Sequence, residues 1–485
     1  SEKEGDNLSS LAGKKYGDAL SYMQKNGNLP KGMDYLFTTY SQLNTTKGKK
    51  VDRHRALDAI APNAMFILDE SHEAGGSGVQ KFGPDGGEIQ SRADYVRELL
   101  ENSDTGTIYS SATYAKSPKV MSLYFKTDLS IGVPNRDALA DAIEAGGVPL
   151  QQAVANMLVE SGQYARRERS FEGVEMNMDT LPTNQEQAAA GAQAVQEVFG
   201  LDRDFMVDAR ESFISEKMDE GFGGALDMAV GDASASGIGF SSVMHNVIGQ
   251  MLLALKAEST VNQAIELHKK GEKPIIALMN TNESIISDYV DGDGLKPGDE
   301  ADLTFNMILD RYLRRLRRIT VKDADDKKHH VFMTDDDITK HGGSLALSEY
   351  KRVESEIRAI DMGGLPASPV DYVLDRLRAA GINADEITGR GKIIQDGVYQ
   401  IRKSSSAQKK RTMNDYNAGR TDALVINQSG STGFSMHATA ATNNDGKQRH
   451  MIILQPDPNI DTFMQMLGRI HRTGQILLPK YTIAV

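Results

Sequence analysis

The chain has 485 residues, a formal net charge of −12 and no cysteine. Hydrophobic residues make up 39% and charged residues 25%, an ordinary globular balance with room for two or more cores. These numbers exclude disulfides, thiolate metal sites and cysteine nucleophiles. No apolar run reaches the length of a membrane span, and the acidic total argues weakly against a surface coated in nucleic acid, although local patches matter more.

The opening residues, SEKEGDNLSS, have no signal-peptide character. Strands then alternate with helical stretches to about residue 130, with strand candidates YLFTTY (35–40), AMFILDE (64–70) and GTIYSSAT (106–113). From about 135 to 265 the spacing of apolar residues is helical, and the methionines there read as core filler. A second alternating segment runs from about 265 to the end, with candidates KPIIALMNT (273–281), ADEITG (384–389), DALVINQ (422–428), RHMIILQ (449–455) and a final KYTIAV. Its apolar runs are continuous, as in strands covered on both faces. A charged insertion at about 285–360 holds DGDG and DADDKKHH, which read as solvated loop: neither has a calcium-loop spacing, and His329 and His330 lack a second ligand pair. The basic run RYLRRLRR (311–318) is either a solvated helix face or a nucleic-acid contact made by Arg314, Arg315 and Arg318.

Four stretches carry chemistry. LDESH (68–72) places Asp69 and Glu70 at the end of a strand, where one carboxylate can hold Mg2+ through its water shell and the next can orient or deprotonate a water. SSAT (110–113) follows the next strand candidate, and its hydroxyls can hydrogen-bond to the acidic pair. NQSGSTGFSMHA (427–438) is rich in glycine and hydroxyls, so its backbone can approach phosphates closely. QMLGRIHRTGQ (465–475) sets Arg469 and Arg472 three apart, which on a helix gives one face presenting two guanidiniums to a γ-phosphate.

In this order the four stretches resemble superfamily 2 helicases and translocases, and the chain is more closely similar to the strawberry notch-like family. That closer likeness is carried also by VESGQYARRERSFEGVE (159–175) and PASPVDYVLDRLRAAGINADEITGR (366–390), so it covers most of the chain. The resemblance implies an α/β fold of two RecA-like domains with parallel sheets, joined by a helical linker or insertion. The expected boundaries are 1–134 for the first domain, 135–264 for the helical region and 265–485 for the second domain. It implies ATP and Mg2+ as cofactors and DNA as partner, in the cytoplasm of a bacterial or phage-infected cell, or in the nucleus of a eukaryote.

Carried over by position, Asp69 would hold the metal and Glu70 activate water, with His72, Ser111 and Thr113 coupling hydrolysis to motion. Gln465, Arg469 and Arg472 would face the phosphates, with Gly433 and Gly468 beside the nucleotide. Thr38, Thr39, Ser431 and Thr432 would lie toward the nucleic-acid backbone or the cleft.

One departure stands out. No GxxxxGK[ST] precedes the acidic strand, so the lysine and hydroxyl of a P-loop are missing. The expectation is that the first domain begins before residue 1, in a larger polypeptide, and that this piece alone is a poor ATPase. The alternative is a non-catalytic nucleic-acid-binding or assembly module on a RecA-like frame. A nuclease or methyltransferase ranks below both, for want of a clustered acidic-lysine pattern or an N-terminal GxG loop.

Overall fold

The computed structural model describes residues 13–45, 50–75, 81–82, 88–111, 118–131, 136–165, 170–219, 226–281, 283–301, 303–322, 328–362, 364–427 and 433–485. The chain divides into two units, Ser1–Ser170 and Phe171–Val485. Among the described residues no helix is long and apolar enough to cross a membrane.

In the first unit, α1 (Gly13–Asn26) packs on α2 (Asp52–Ile60), and both close over β1 (Phe66–Leu68). Two short strands follow, β2 (Lys81–Phe82) and β3 (Glu88–Ile89), then α3 (Arg92–Glu101) and β4 (Thr107–Tyr109). Ser91 starts α3 with a capping box: its hydroxyl accepts from the Asp94 N–H, and the Asp94 carboxylate accepts from the Ser91 N–H. Strands β1 and β4 pair in parallel, Phe66 opposite Thr107 and Leu68 opposite Tyr109. Met23, Ala56, Tyr95, Leu100 and Leu123 form the dry centre beneath them. The expected strand at 35–40 is not formed: residues 35–39 are irregular and Tyr40–Leu43 make a 3-10 turn. Helix α4 (Pro118–Met121) leads to α5 (Arg136–Glu160), which breaks at Gly147 (φ 57°) just before Pro149, because proline removes a helical donor and crowds the preceding turn.

The second unit opens with β5 (Glu175–Asp179), a strand inside the stretch read from sequence as helical. Then come α6 (Gln185–Leu201), α7 (Val207–Asp219), α8 (Leu226–Lys269), β6 (Lys273–Leu278), α9 (Glu283–Gly292) and α10 (Phe305–Arg315). Strands β7 (Arg318–Lys322) and β8 (Lys328–Phe332) form an antiparallel hairpin, so the DADDKKHH segment ends in a strand and is not wholly loop. The rest is α11 (Asp335–Ala359), α12 (Pro369–Ala379), β9 (Ala384–Ile387), β10 (Lys392–Gln395), β11 (Val398–Ile401), α13 (Ser406–Asn417), β12 (Ala423–Asn427), β13 (Arg449–Ile453), α14 (Ile460–Leu467) and β14 (Lys480–Ala484).

Six strands make one parallel sheet in the order β5-β14-β13-β6-β12-β9. This is the α/β fold with a parallel sheet that the sequence implies, and its continuous apolar runs have the expected cause. Every residue of β6, β12 and β13 is buried. Alternate side chains serve opposite faces: Ile276, Leu278 and Val425 meet α8 and α12, while Ile275, Ala277 and Ile426 meet α13 and α14. A separate helical core joins α6 and α7 to α10 and α11 through Ala194, Val198, Phe213, Leu309, Tyr350 and Val353. The charged insertion is therefore folded, and it shares its core with helices far upstream.

Two buried charge clusters hold the second unit. Arg390, 1% exposed, donates from Nη2 to Asp371 of α12 at 2.6 Å and from Nε to both Glu386 oxygens at 2.9 and 3.0 Å. Glu386 also takes Thr388 Oγ1 at 2.9 Å and Arg402 Nη1 at 2.9 Å, and Asp371 takes the Ile394 N–H. The sheet edge β9, helix α12 and the β10–β11 hairpin are thus tied through one guanidinium. At the hairpin tip Asp396 (φ 49°) and Gly397 (φ 73°) give the left-handed pair that an Asp-Gly turn supplies.

At the start of β6, Lys273 lies 4.1 Å from the centre of the Tyr416 ring and donates to Asp445 at 2.8 Å. Arg449 reaches the same carboxylate at 2.6 Å. Burial pulls the Lys273 pKa down to about 8, with the Asp445 hydrogen bond opposing it and Arg449 adding to it.

Two stability predictions follow from these clusters. Arg390→Met strands two buried carboxylates and should cost about 3–5 kcal/mol in urea unfolding; a loss under about 1 kcal/mol would mean that the cluster contributes little. For Lys273 the folded pKa is below the unfolded one, so between about pH 8 and 10.5 the unfolded chain binds more protons, and the lysine's contribution to stability rises with pH. Wild-type stability minus that of Lys273→Met should climb across this window, whereas a flat difference would show that the amine keeps its ordinary pKa.

Candidate nucleotide site

Strand β1 ends at Leu68, and Asp69 stands exposed just after it. Glu70 follows in the left-handed region (φ 47°, ψ 51°), a conformation that costs a non-glycine residue about 1–3 kcal/mol. The strain turns the chain sharply into the 3-10 turn Ser71–Glu73, so Ser71 and His72 are buried while Glu70 stays half-buried. Two backbone bonds hold the turn beyond the end of β4: Ser110 N–H donates to Leu68 O and Ser71 N–H to Ser110 O, both at 2.9 Å.

This brings LDESH and the start of SSAT together. His72 Nδ1 is 2.8 Å from Ser111 Oγ, and its Nε2 is 3.2 Å from Glu73 Oε1. Glu70 Oε2 lies 3.5 Å from His72 Nδ1, too far for a good hydrogen bond, and is a buried oxygen without a hydrogen-bond partner among the described residues. A buried carboxylate oxygen left this way is suited to a bound water. Thr113 lies outside the described residues.

Tyr40 was not singled out from sequence as a site residue. Its hydroxyl donates to Asp69 O at 2.7 Å, and burial, reinforced by the Asp69 charge, pushes its pKa up to about 12. Tyr40 therefore ties the FTTYSQL segment to the acidic turn. The flanking threonines are exposed and bonded within their own turn, Thr38 Oγ1 to Gln42 Oε1 at 3.1 Å and Thr39 Oγ1 with Ser41 Oγ at 2.9 Å. Sequence spacing identifies the segment but not that a phenol spans 29 residues to a carbonyl.

In the second unit Ser431 and Thr432 lie outside the described residues, and Gly433 (φ 81°) begins the described part of the glycine-rich loop. That loop meets the arginine motif directly. Met436 N–H donates to Arg469 O at 2.8 Å, Ile476 N–H to Ala438 O at 3.0 Å, and Thr439 bridges Gln475. Gln465 lies on α14, and Gly468 closes it, where a Cβ would come within 3.3 Å of the Gln465 and Met464 carbonyls.

The two arginines do not share a helix face, because α14 ends at Leu467 and both lie in the irregular segment beyond it. Tyr481 pins that end by donating to Leu467 O at 2.8 Å. Arg469 is buried, and Arg472 is half-buried with its backbone N–H on Gln475 Oε1 at 3.1 Å. The Arg472 Nε is buried without a hydrogen-bond partner among the described residues. Arg314, Arg315 and Arg318 belong to none of these turns: the first two close α10 and the third opens β7, so they do not form one helical run.

No group of three or more histidine or acidic side chains able to hold a metal occurs among the described residues. The donor set fits Mg2+ only as that ion is commonly held, through one carboxylate, water and the ligand's phosphates. Asp69 is the residue that would serve.

The chain is similar to helicase-like P-loop NTPases, and among them to strawberry notch proteins. Residues 368–485 match the C-terminal domain on strawberry notch homologues, and residues 3–190 match the family described as P-loop containing NTP hydrolase pore-1. Protein strawberry notch homolog 1 of Rattus norvegicus is 22% identical over 97% of this chain and 42% of its own length. Homolog 2 of Mus musculus is 22% identical over 87% of this chain and 35% of its own. The chain thus spans about two fifths of the length of these relatives. Among solved structures, the helicase domain of Pyrococcus furiosus Hef aligns over 98% of this chain and 85% of its own, at 13% identity and a TM-score of 0.31.

Ser111→Ala removes the hydroxyl that His72 meets and leaves the backbone ladder intact. The His72–Ser111 contact should be worth about 0.5–1.5 kcal/mol in urea unfolding; a loss indistinguishable from zero would show that it does not hold the turn.

Proposed function

We propose that the chain is the motor part of an ATP-dependent nucleic-acid helicase or translocase, acting on DNA within a larger DNA-processing or anti-restriction protein. The observation that carries this reading is Glu70: a carboxylate at the end of a parallel strand, on a strained turn, with one buried oxygen left for a water and a histidine beside it bonded to the next strand's serine.

In this reading Asp69 would hold Mg2+ through its water shell, and the ion would supply positive charge against the phosphates. Glu70 orients the attacking water and takes its proton. In the second unit Arg472, in the same motif as Gln465 and Arg469, is the cation for a phosphate, and its Nε, buried without a hydrogen-bond partner among the described residues, suits an anion. His72 and Ser111 carry a change at the acidic turn to the segment after β4, and Tyr40 carries it to the segment holding Thr38 and Thr39. A second reading, a nucleic-acid-binding module without turnover, is favoured by one observation: the sequence has no GxxxxGK[ST], so a P-loop lysine is not among the groups it offers.

The test is ATP hydrolysis by the larger polypeptide expected to carry this chain, with and without single-stranded and duplex DNA, in wild type, Glu70→Gln and Arg472→Ala. DNA-stimulated turnover should fall at least about a hundredfold in Glu70→Gln with ATP affinity retained, and about a thousandfold in Arg472→Ala with DNA affinity little changed. Wild-type protein that binds DNA but hydrolyses nothing would establish the module instead.

A further inference from the structure

At the N-terminal ends of β12 and β13, the end of α13 and the loop 439–444 face each other across a pocket of about 450 Å³, within the size range of small-molecule sites. Both strands run parallel to β6, so this is the edge of the sheet opposite to the one where Asn427 leads into the glycine-rich loop. Four carboxamides line the pocket, Asn414 and Asn417 from α13 and Asn443 and Asn444 from the loop, together with Arg420 and Thr439.

Two of the carboxamides build the walls. Asn417 donates from Nδ2 to Ser435 O at 3.0 Å, and its backbone carbonyl takes the Asp445 N–H at 2.8 Å, which locks the loop to α13. Asn444 donates to His437 O at 3.1 Å and accepts from the Gly446 N–H at 2.9 Å and from Arg449 at 3.3 Å. The pocket is therefore formed before anything enters it. The other two are free: Asn414 and Asn443 are exposed and make no side-chain hydrogen bond among the described residues.

Charge does not select the ligand. Arg420 gives both Nε and Nη2 to Asp415 Oδ1, at 2.8 and 2.5 Å, so the one cation is answered by one carboxylate. Apolar surface does not select it either, because the apolar lining is Ala418 and Ala441. What remains is a pair of free carboxamides, each presenting a donor and an acceptor in one plane. The matching ligand is uncharged and planar, with a donor and an acceptor side by side on one edge. The N6 and N7 edge of adenine has that form, and asparagine reads it with two bonds at once.

We propose that this pocket binds an adenine base, held along its edge by the carboxamides of Asn414 and Asn443. The same edge is offered by a free nucleoside and by an unpaired base in a strand. The site goes beyond the function proposed above and does not rest on turnover.

The experiment is isothermal titration calorimetry of the whole chain with adenosine, cytidine and a single-stranded oligodeoxyadenylate, in wild type, Asn414→Ala and Asn443→Ala. Both substitutions fall on exposed side chains, so folding is not at stake. Adenosine should bind at least about tenfold more tightly than cytidine, and each variant should weaken it about tenfold. An oligomer that loses affinity in the variants while adenosine does not bind would assign the pocket to a base within a strand. Glu70→Gln should bind as wild type, so failure of the catalytic reading leaves this test standing. The proposal is overturned if neither adenosine nor the oligomer binds, if both keep wild-type affinity in both variants, as adenosine held elsewhere on the chain would, or if cytidine binds as tightly as adenosine.

Discussion

The second unit depends on burying one guanidinium. Arg390 is almost wholly removed from water, and a charge so placed is tolerated only when partners surround it. Glu386, Asp371 and, through Glu386, Thr388 and Arg402 can do so only if the edge strand, the preceding helix and the following hairpin are all in register at once. The cluster therefore acts as a check on assembly: a slip of one residue in β9 would turn Glu386 away and leave the charge alone. This gives a physical reason for the SPVD…EITGR stretch. Its serine, aspartate, glutamate, threonine and arginine are Ser368, Asp371, Glu386, Thr388 and Arg390, the members of the cluster.

The first unit places its chemistry by strain. Strand β1 is short and ends in a glutamate held at positive φ, a geometry that persists because the ladder continues through Ser71 and Ser110 and because Tyr40 holds the Asp69 carbonyl. The cost of that turn is met by a local network, and its product is a carboxylate oxygen without a partner. In the second unit the arginine segment is set by anchoring: a helix pinned by Tyr481, followed by a loop laced to residues 436–439. Each unit, by its own means, leaves a buried polar atom without a hydrogen-bond partner among the described residues.

The helical part of the second unit also changes how the chain is divided. Residues 185–219 and 305–359 read as two separate things, a helical middle and a charged insertion. They meet in one core, with Val198 and Phe213 packed among Leu309, Tyr350 and Val353. That shared core ties α10 and the β7–β8 hairpin to helices far upstream, with Ile319 and Val331 packed in it.

Much was legible in the sequence. The parallel sheet is written in apolar runs without polar alternation, because strands covered on both faces need no wet side. The acidic pair, the serine after the next strand and the glycine-rich loop follow strand ends, where side chains leave the sheet. What the sequence did not determine depends on contacts between residues far apart. Helical spacing predicted one face for Arg469 and Arg472, but α14 stops at Leu467, where Tyr481 from the last strand caps it. YLFTTY has strand composition, yet residues 35–39 are irregular and Tyr40 opens a 3-10 turn that delivers its hydroxyl to Asp69. Strand β5 is hidden in a helical stretch because its pairing with β14 is set across the whole unit. Local periodicity decides what a segment can be; which option it takes is decided by the partner that buries it.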